Sequence, residues 1–105
     1  INSGGSSSSS WRTITTATDN VFSGEKIFVN TSSNAITLTL PAAPATGDQI
    51  SFLDIADNFD TNALTLNPNS LKIFGATANG TVSTEGAGFT LVYTGATYGW
   101  KITEK

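Results

Sequence analysis

The stretch that decides the fold class is Ala35-Ile36-Thr37-Leu38-Thr39-Leu40, in which apolar and polar side chains alternate. In an extended backbone, the side chains of Ile36, Leu38 and Leu40 fall on one side, and the two threonines fall on the other. A period of two is typical of a β-strand with one buried face, whereas an amphipathic helix repeats every 3.6 residues. The stretch therefore predicts a strand.

Similar patterns recur on both sides of this strand, separated by Asn-, Gly- and Pro-containing segments that favour turns. No eleven-residue window carries a convincing helical stripe. Short strands at such spacing predict an all-β sandwich or barrel. The stronger strands are predicted at Gln49 to Ile55, Ala63 to Asn67, Ser70 to Phe74, Gly88 to Thr94 and Tyr98 to Thr103, and weaker ones at Arg12 to Thr16, Lys26 to Asn30 and Thr81 to Thr84.

Length and composition predict one small domain and exclude some partners. The 105 residues divide into a flexible Gly/Ser linker at residues 1–10 and a β-domain at residues 11–105. The net charge of −3 argues against nucleic acid, and no apolar run is long enough to insert into a membrane. Charged residues make up 12% of the chain, about half the usual share. Strands with so little charge to protect their edges favour self-association.

The chain has no Cys and no His, which removes the thiol nucleophile and the commonest general base. A thiolate metal site and a Ser–His–Asp triad are both excluded. The remaining enzyme hypothesis is a glycosidase-like carboxylate pair drawn from Asp54, Asp57 and Asp60. We expect no enzymatic activity and no required cofactor.

The loop from Asp54 to Asn62 is the densest group of oxygen donors in the sequence. Asp54, Asp57 and Asp60 could together bind a hard cation such as calcium, although the EF-hand spacing is absent. The alternative is that these side chains cap the loop by accepting hydrogen bonds from backbone amides. We expect capping, with calcium as the second possibility.

The aromatic residues near the C-terminus suggest a second kind of site. Tyr93, Tyr98 and Trp100 could stack on sugar rings, in Asn- and Thr-rich surroundings that suit the recognition of hydroxyl groups. The alternative is that they pack in the core or at a subunit interface. We expect core or interface packing for the phenylalanines, among them Phe52, Phe74 and Phe89, which lie in strand-like runs.

Several longer segments resemble a small β-domain that recurs in bacteriophage tail fibres and related virion proteins. The most specific are Leu38-Thr-Leu-Pro-Ala-Ala-Pro-Ala-Thr-Gly-Asp48 and Leu91-Val-Tyr-Thr-Gly-Ala-Thr-Tyr-Gly-Trp100, and the resemblance covers residues 11 to 103. It implies a structural and adhesive fibre module, located in the virion and extracellular. We therefore expect an antiparallel β-sandwich, assembled as a homotrimer around a three-fold axis, that contributes to binding a glycan or protein receptor on the host cell.

The rival hypothesis is a carbohydrate-binding module of a bacterial surface or prophage-derived protein. In that case Tyr93, Tyr98 or Trp100 would form the stacking platform. The two hypotheses differ in whether self-association or sugar binding is the primary property of the domain.

Overall fold

The computed structural model describes residues 11–104, of which Glu104 is described by its backbone alone. These residues form no helix, and so none that is long and apolar enough to cross a membrane. The linker predicted for residues 1–10 lies outside the described residues. Residues 11–104 contain nine strands: β1 (Arg12–Ile14), β2 (Thr18–Asn20), β3 (Lys26–Val29), β4 (Ile36–Thr39), β5 (Gln49–Asp54), β6 (Leu64–Asn67), β7 (Gly80–Val82), β8 (Gly88–Tyr93) and β9 (Trp100–Glu104).

The strands form two sheets, and the chain alternates between them. Sheet A has the order β9-β8-β5-β3-β1, and sheet B has the order β2-β4-β6-β7. From β1 to β6 each strand of sheet A is followed by a strand of sheet B, so the first six strands make three stacked coils. We call this part the parallel stack, because β1, β3 and β5 run parallel in sheet A, as do β2, β4 and β6 in sheet B.

This arrangement confirms the all-β class and corrects the expectation of an antiparallel sandwich. Only the last three strands run against their neighbours: β7 against β6, and β8 against both β5 and β9. Both sheets are therefore mixed. The physical reason is that each connection in the parallel stack crosses to the other sheet, so the next strand of the same sheet returns in the same direction.

The core lies between the two sheets and follows the predicted alternation. In β4, Ile36 and Leu38 are buried, whereas Thr37 and Thr39 are not. Stacking places like positions in columns across the sheets, as in the column Ile27, Phe52 and Phe89 of sheet A. The buried apolar cluster comprises Ile14, Val21, Ile27, Val29, Ile36, Leu38, Leu40, Ile50, Phe52, Phe59, Leu64, Leu66, Ile73, Phe89, Leu91, Tyr93 and Trp100.

Prediction and structure differ at one predicted strand that does not form and at one observed strand that was not predicted. The strand predicted at Ser70 to Phe74 is wrong: Ser70 and Phe74 both have positive φ, so the backbone turns, and Ile73 forms only isolated bridges. The short strand β2 is not predicted by the sequence, because its Thr-Asp-Asn sequence has no apolar residue. Phe74 does not pack in the core, since it is exposed, and of the two environments expected for it only an interface remains.

In the first described coil of the parallel stack, formed by β1 and β2, charged side chains occupy inward positions. Arg12 is in register with Ile27, and Asp19 is in register with Leu38, so both occupy columns that are apolar in the next coil. The Arg12 guanidinium bonds Asp19 at 3.2 Å and forks onto both carboxylate oxygens of Glu25 at 3.0 Å. A hydrogen bond from Arg12 to Glu25, with the charges of Glu25 and Asp19, raises the pKa of Arg12. This ion-pair network links the two sheets where the stack begins.

Candidate functional sites

The acidic loop is organised around Asp54, at the end of β5. Its side chain is buried, and its Oδ2 atom accepts hydrogen bonds from the backbone N–H groups of Asn58, Phe59 and Gly86 at 2.9 to 3.0 Å. Phe59 is completely buried beside it. The carboxylate therefore holds its own loop and the turn before β8 together, as expected for a capping residue.

The other two predicted metal ligands point elsewhere. Asp57 and Asp60 are exposed, whereas Asp54 is 2% exposed and faces backbone amides. Within residues 11–104, no three acidic side chains lie close enough together to hold a metal ion. The loop thus uses Asp54 internally and turns Asp57 and Asp60 outwards, so the structure does not bring the three carboxylates of the considered calcium site together.

The predicted aromatic platform is divided between the core and the surface. Tyr93 is 7% exposed and Trp100 is completely buried, and their ring centroids lie 5.3 Å apart. Both rings are packed inside the domain, so the structure does not bring Tyr93, Tyr98 and Trp100 together on one exposed surface. Their burial follows from the inward positions that they occupy on neighbouring strands, β8 and β9, where they are in register.

Tyr98 is the one member of that platform on the surface, in the turn between β8 and β9. Its side chain is 61% exposed, and the Nζ atom of Lys101 lies 5.9 Å from its ring centroid. Tyr98 lines neither of the two openings described below. Tyr98 thus presents an isolated aromatic–cation pair.

A groove of about 330 Å³ lies on the outer face of sheet A. We call it the face groove, and its outward-facing lining residues are Trp11, Lys26, Ser51, Leu53, Gly88 and Thr90. Trp11 forms one wall, stacked on Phe28 with a centroid distance of 4.7 Å and an interplanar angle of 7°. Gly88 lacks a side chain where a Cβ atom would contact Leu53, which leaves the groove open at that point.

The polar groups of the face groove come from three neighbouring strands. Lys26 on β3 places its Nζ atom 5.8 Å from the Trp11 ring centroid. Ser51 on β5 and Thr90 on β8 are in register, and their hydroxyl oxygens are 2.9 Å apart. The groove thus combines an aromatic wall, an ammonium group and a hydroxyl pair.

A second opening, the edge cleft, lies where the two sheets end. It measures about 390 Å³, and its apolar lining residues are Val82 on β7, Ala87 and Phe89 at β8, and Ile102 on β9. Sheet A has one more strand than sheet B, so β9 extends past the last strand of sheet B. Val82 and Ile102, which pack against the core, therefore remain partly exposed.

Sequence reasoning missed both openings. The face groove depends on which strands are neighbours, and neighbours cannot be read from a period of two. One signal was present: counting outward from the apolar Ile14 by alternation places Trp11 and Thr13 on the outer face. No protein-family model matches the chain, and none of the curated proteins compared with it is significantly similar.

Proposed function

We propose that this chain is a non-enzymatic structural and adhesive module of a phage tail fibre, which trimerises and contributes to binding a receptor on the host cell. The support from the sequence is the resemblance described above and the scarcity of charge on the strands. Extracellular location in a virion is part of the same proposal.

The observation that carries the proposal is the edge cleft. Val82, Phe89 and Ile102 are the large apolar residues that line this opening. The hydrophobic effect favours covering such a surface, at roughly 25 cal/mol per Å² of apolar area removed from water. β7 and β9 are the edge strands beside it, and within the described residues the outer edge of β9 is bonded to the 72–74 segment only at Trp100. An exposed strand edge readily pairs with another chain. In a homotrimer, each copy would turn this edge towards the three-fold axis.

Trimerisation would serve adhesion through multivalency. Three weak receptor sites held in one particle bind at a high effective concentration, so their joint affinity exceeds that of one site without any new contact. A rigid two-sheet domain suits this role, because it holds each site at a fixed distance from the others.

The test is sedimentation velocity of the full chain and of two variants. We expect the unmodified chain and the Ile55→Glu variant to sediment as trimers. We expect Ile102→Glu to sediment as a monomer, because Ile102 lines the edge cleft and Ile55 does not. Ile55 is a matched control, since its side chain is 42% exposed and lies outside that cleft. A folded Ile102→Glu variant that remained a trimer would show that the cleft is not the subunit contact.

The carbohydrate-binding module remains the second candidate, and the face groove is the observation that favours it. A domain that acts alone would bind sugar as a monomer. The solution mass therefore separates the two candidates.

A further inference from the structure

The face groove has the layout of a small-ligand site rather than that of a plain sheet face. It is a shallow, open depression with an aromatic wall, and its floor combines Leu53 and Gly88 with the hydroxyl groups of Ser51 and Thr90. A partly apolar surface with a few polar groups that converge on it is typical of ligand sites. One face of the Trp11 indole is covered by Phe28, so the stack holds the ring in place. Trp11 as a whole remains 39% exposed, and the ammonium of Lys26 lies over its ring, where it can meet the charged group of a ligand.

The charge of the groove is opposite to that of the whole chain. The protein carries a net charge of −3, yet the described residues that line the groove include the ammonium of Lys26 and no carboxylate. Within residues 11–103, Lys26 makes no ion pair, and its ammonium lies over the Trp11 ring instead, 5.8 Å from the ring centroid. A ligand with a negative charge is therefore favoured here over a neutral or cationic one.

The hydroxyl pair adds a preference for a hydroxylated ligand. The two hydroxyl groups of Ser51 and Thr90 together have two O–H donors and four acceptor lone pairs. The hydrogen bond between them uses one O–H donor and one lone pair. One O–H group and several lone pairs remain for a ligand. Such a pair can both donate to and accept from neighbouring sugar hydroxyls.

We propose that the face groove binds an acidic saccharide, with its ring on Trp11, its carboxylate at Lys26, and its hydroxyls at Ser51 and Thr90. The C–H bonds of a pyranose ring carry partial positive charge, and they are attracted to the negative face of the indole. The carboxylate forms a charge-assisted hydrogen bond with the ammonium, which is stronger than a neutral one. This inference rests on the proposed adhesive function, for which it names the chemical class of the receptor.

The test is an array of oligosaccharides ending in glucuronate, galacturonate, mannuronate or sialic acid, each paired with its own carboxyl methyl ester. The methyl ester keeps the ring and the hydroxyls but removes the charge. We expect the full chain to bind at least one acid more tightly than its ester. That binding should weaken as salt is raised, because salt screens exposed charges.

Two variants of the groove identify the residues involved. Lys26→Gln should weaken binding of the acid by about tenfold and leave the weak binding of the ester unchanged. Trp11→Ala should weaken both by about tenfold or more, because it removes the stacking surface. Thermal unfolding monitors whether each variant is folded, and Lys26→Gln keeps the test decisive if Trp11→Ala does not fold.

Tyr98 and Lys101 provide matched controls, because they form the same kind of aromatic–cation pair outside the face groove. Tyr98→Ala and Lys101→Gln should leave binding unchanged. The proposal is overturned if no acid binds better than its ester. It is also overturned if Tyr98→Ala or Lys101→Gln abolishes binding while the groove variants retain it. It is also overturned if Trp11→Ala alters the solution mass and no saccharide binds, since the groove would then be a protein contact.

The outcomes for the two proposals can be told apart. A trimer without saccharide binding removes the acidic-saccharide site and leaves the fibre module. A monomer that binds an acidic saccharide through Trp11 and Lys26 removes the trimer and keeps the site.

Discussion

At the scale of single residues, Gly99 is the position that the fold can least exchange. Its φ is +74°, and a Cβ atom there would overlap the backbone carbonyl of Lys72. That carbonyl accepts a 2.9 Å hydrogen bond from Trp100 N–H, which joins the 72–74 segment to the start of β9. The close approach is required for this connection, so the position needs a residue without a side chain.

We predict that Gly99→Ala destabilises the protein by more than about 3 kcal/mol, since it adds a backbone clash to the strain of positive φ. Gly24→Ala is the matched control, because Gly24 also has positive φ (+89°), but a Cβ atom there would meet no other heavy atom within 4 Å. That variant should lose only about 1–2 kcal/mol. Urea unfolding of both variants measures the difference, and equal losses would contradict the assigned role of the Lys72 contact.

Asp54 is the second residue on which local structure depends. We predict that Asp54→Ala costs about 3 kcal/mol, because three backbone N–H groups lose their charged acceptor. Asp60→Ala, at an exposed carboxylate of the same loop, should change stability by less than about 0.5 kcal/mol. Thermal unfolding with calcium and then with a chelator should give one melting temperature. A calcium-dependent rise that Asp54→Ala abolishes would instead make the loop a metal site.

At the scale of elements, the Arg12 network ends the parallel stack. Arg12 and Asp19 occupy inward positions where the next coil has Ile27 and Leu38. An apolar pair at these positions would expose hydrophobic side chains to water, whereas the charged groups of an ion pair can be hydrated. The side chains of Arg12 and Asp19 are each 39% exposed, so the expected stabilisation is that of a surface network.

We predict that Arg12→Gln lowers the free energy of unfolding by about 0.5–1 kcal/mol at low salt, and by less at about 1 M salt. Arg12→Lys should recover little of the loss, because an ammonium cannot fork onto both oxygens of Glu25. Because the pKa of Arg12 is raised, its contribution is present below the unfolded-state pKa and is lost only in more strongly alkaline solution. The difference from wild type should therefore stay constant from about pH 7 to about pH 10. A loss that is independent of salt would contradict an electrostatic role.

The elements also show how far sequence reasoning reaches. The strands β4, β5, β6, β8 and β9 are predictable because alternation such as that of Ile36, Leu38 and Leu40 reports one buried face. Alternation is the same for parallel and antiparallel neighbours, so the pairing of β3 with β5 could not be read from it. At Ser70 to Phe74, alternating Leu71 and Ile73 imitate a strand, but positive φ at Ser70 and Phe74 prevents one.

The candidate sites were predictable only where local chemistry determines them. Capping by Asp54 follows from a carboxylate beside backbone amides of its own loop, and it was expected. The burial of Trp100 and the exposure of Trp11 depend on which face of which strand each residue occupies. The face groove needs Lys26, Ser51 and Thr90 to meet across three strands, so it becomes visible only once the sheet order is known.

At the scale of the whole molecule, the two openings divide the surface into two roles. The edge cleft is mostly apolar, with Thr84 and Glu85 among its lining residues, and an apolar surface beside strand edges suits contact between subunits. The face groove combines Trp11 with polar groups on the outer face of sheet A, and it shares Gly88 and Phe89 with the cleft. A trimer that uses the cleft would therefore place its subunit contact next to the groove.

The solution mass of the full chain, measured by light scattering at tens of micromolar, tests the trimeric fibre module most directly. The chain has a mass of 10.9 kDa. We predict a particle of about three times that mass, held together by the burial of apolar surface at the edge cleft. A mass equal to that of one chain across this concentration range would contradict the trimer, and the domain would then act as a single binding module.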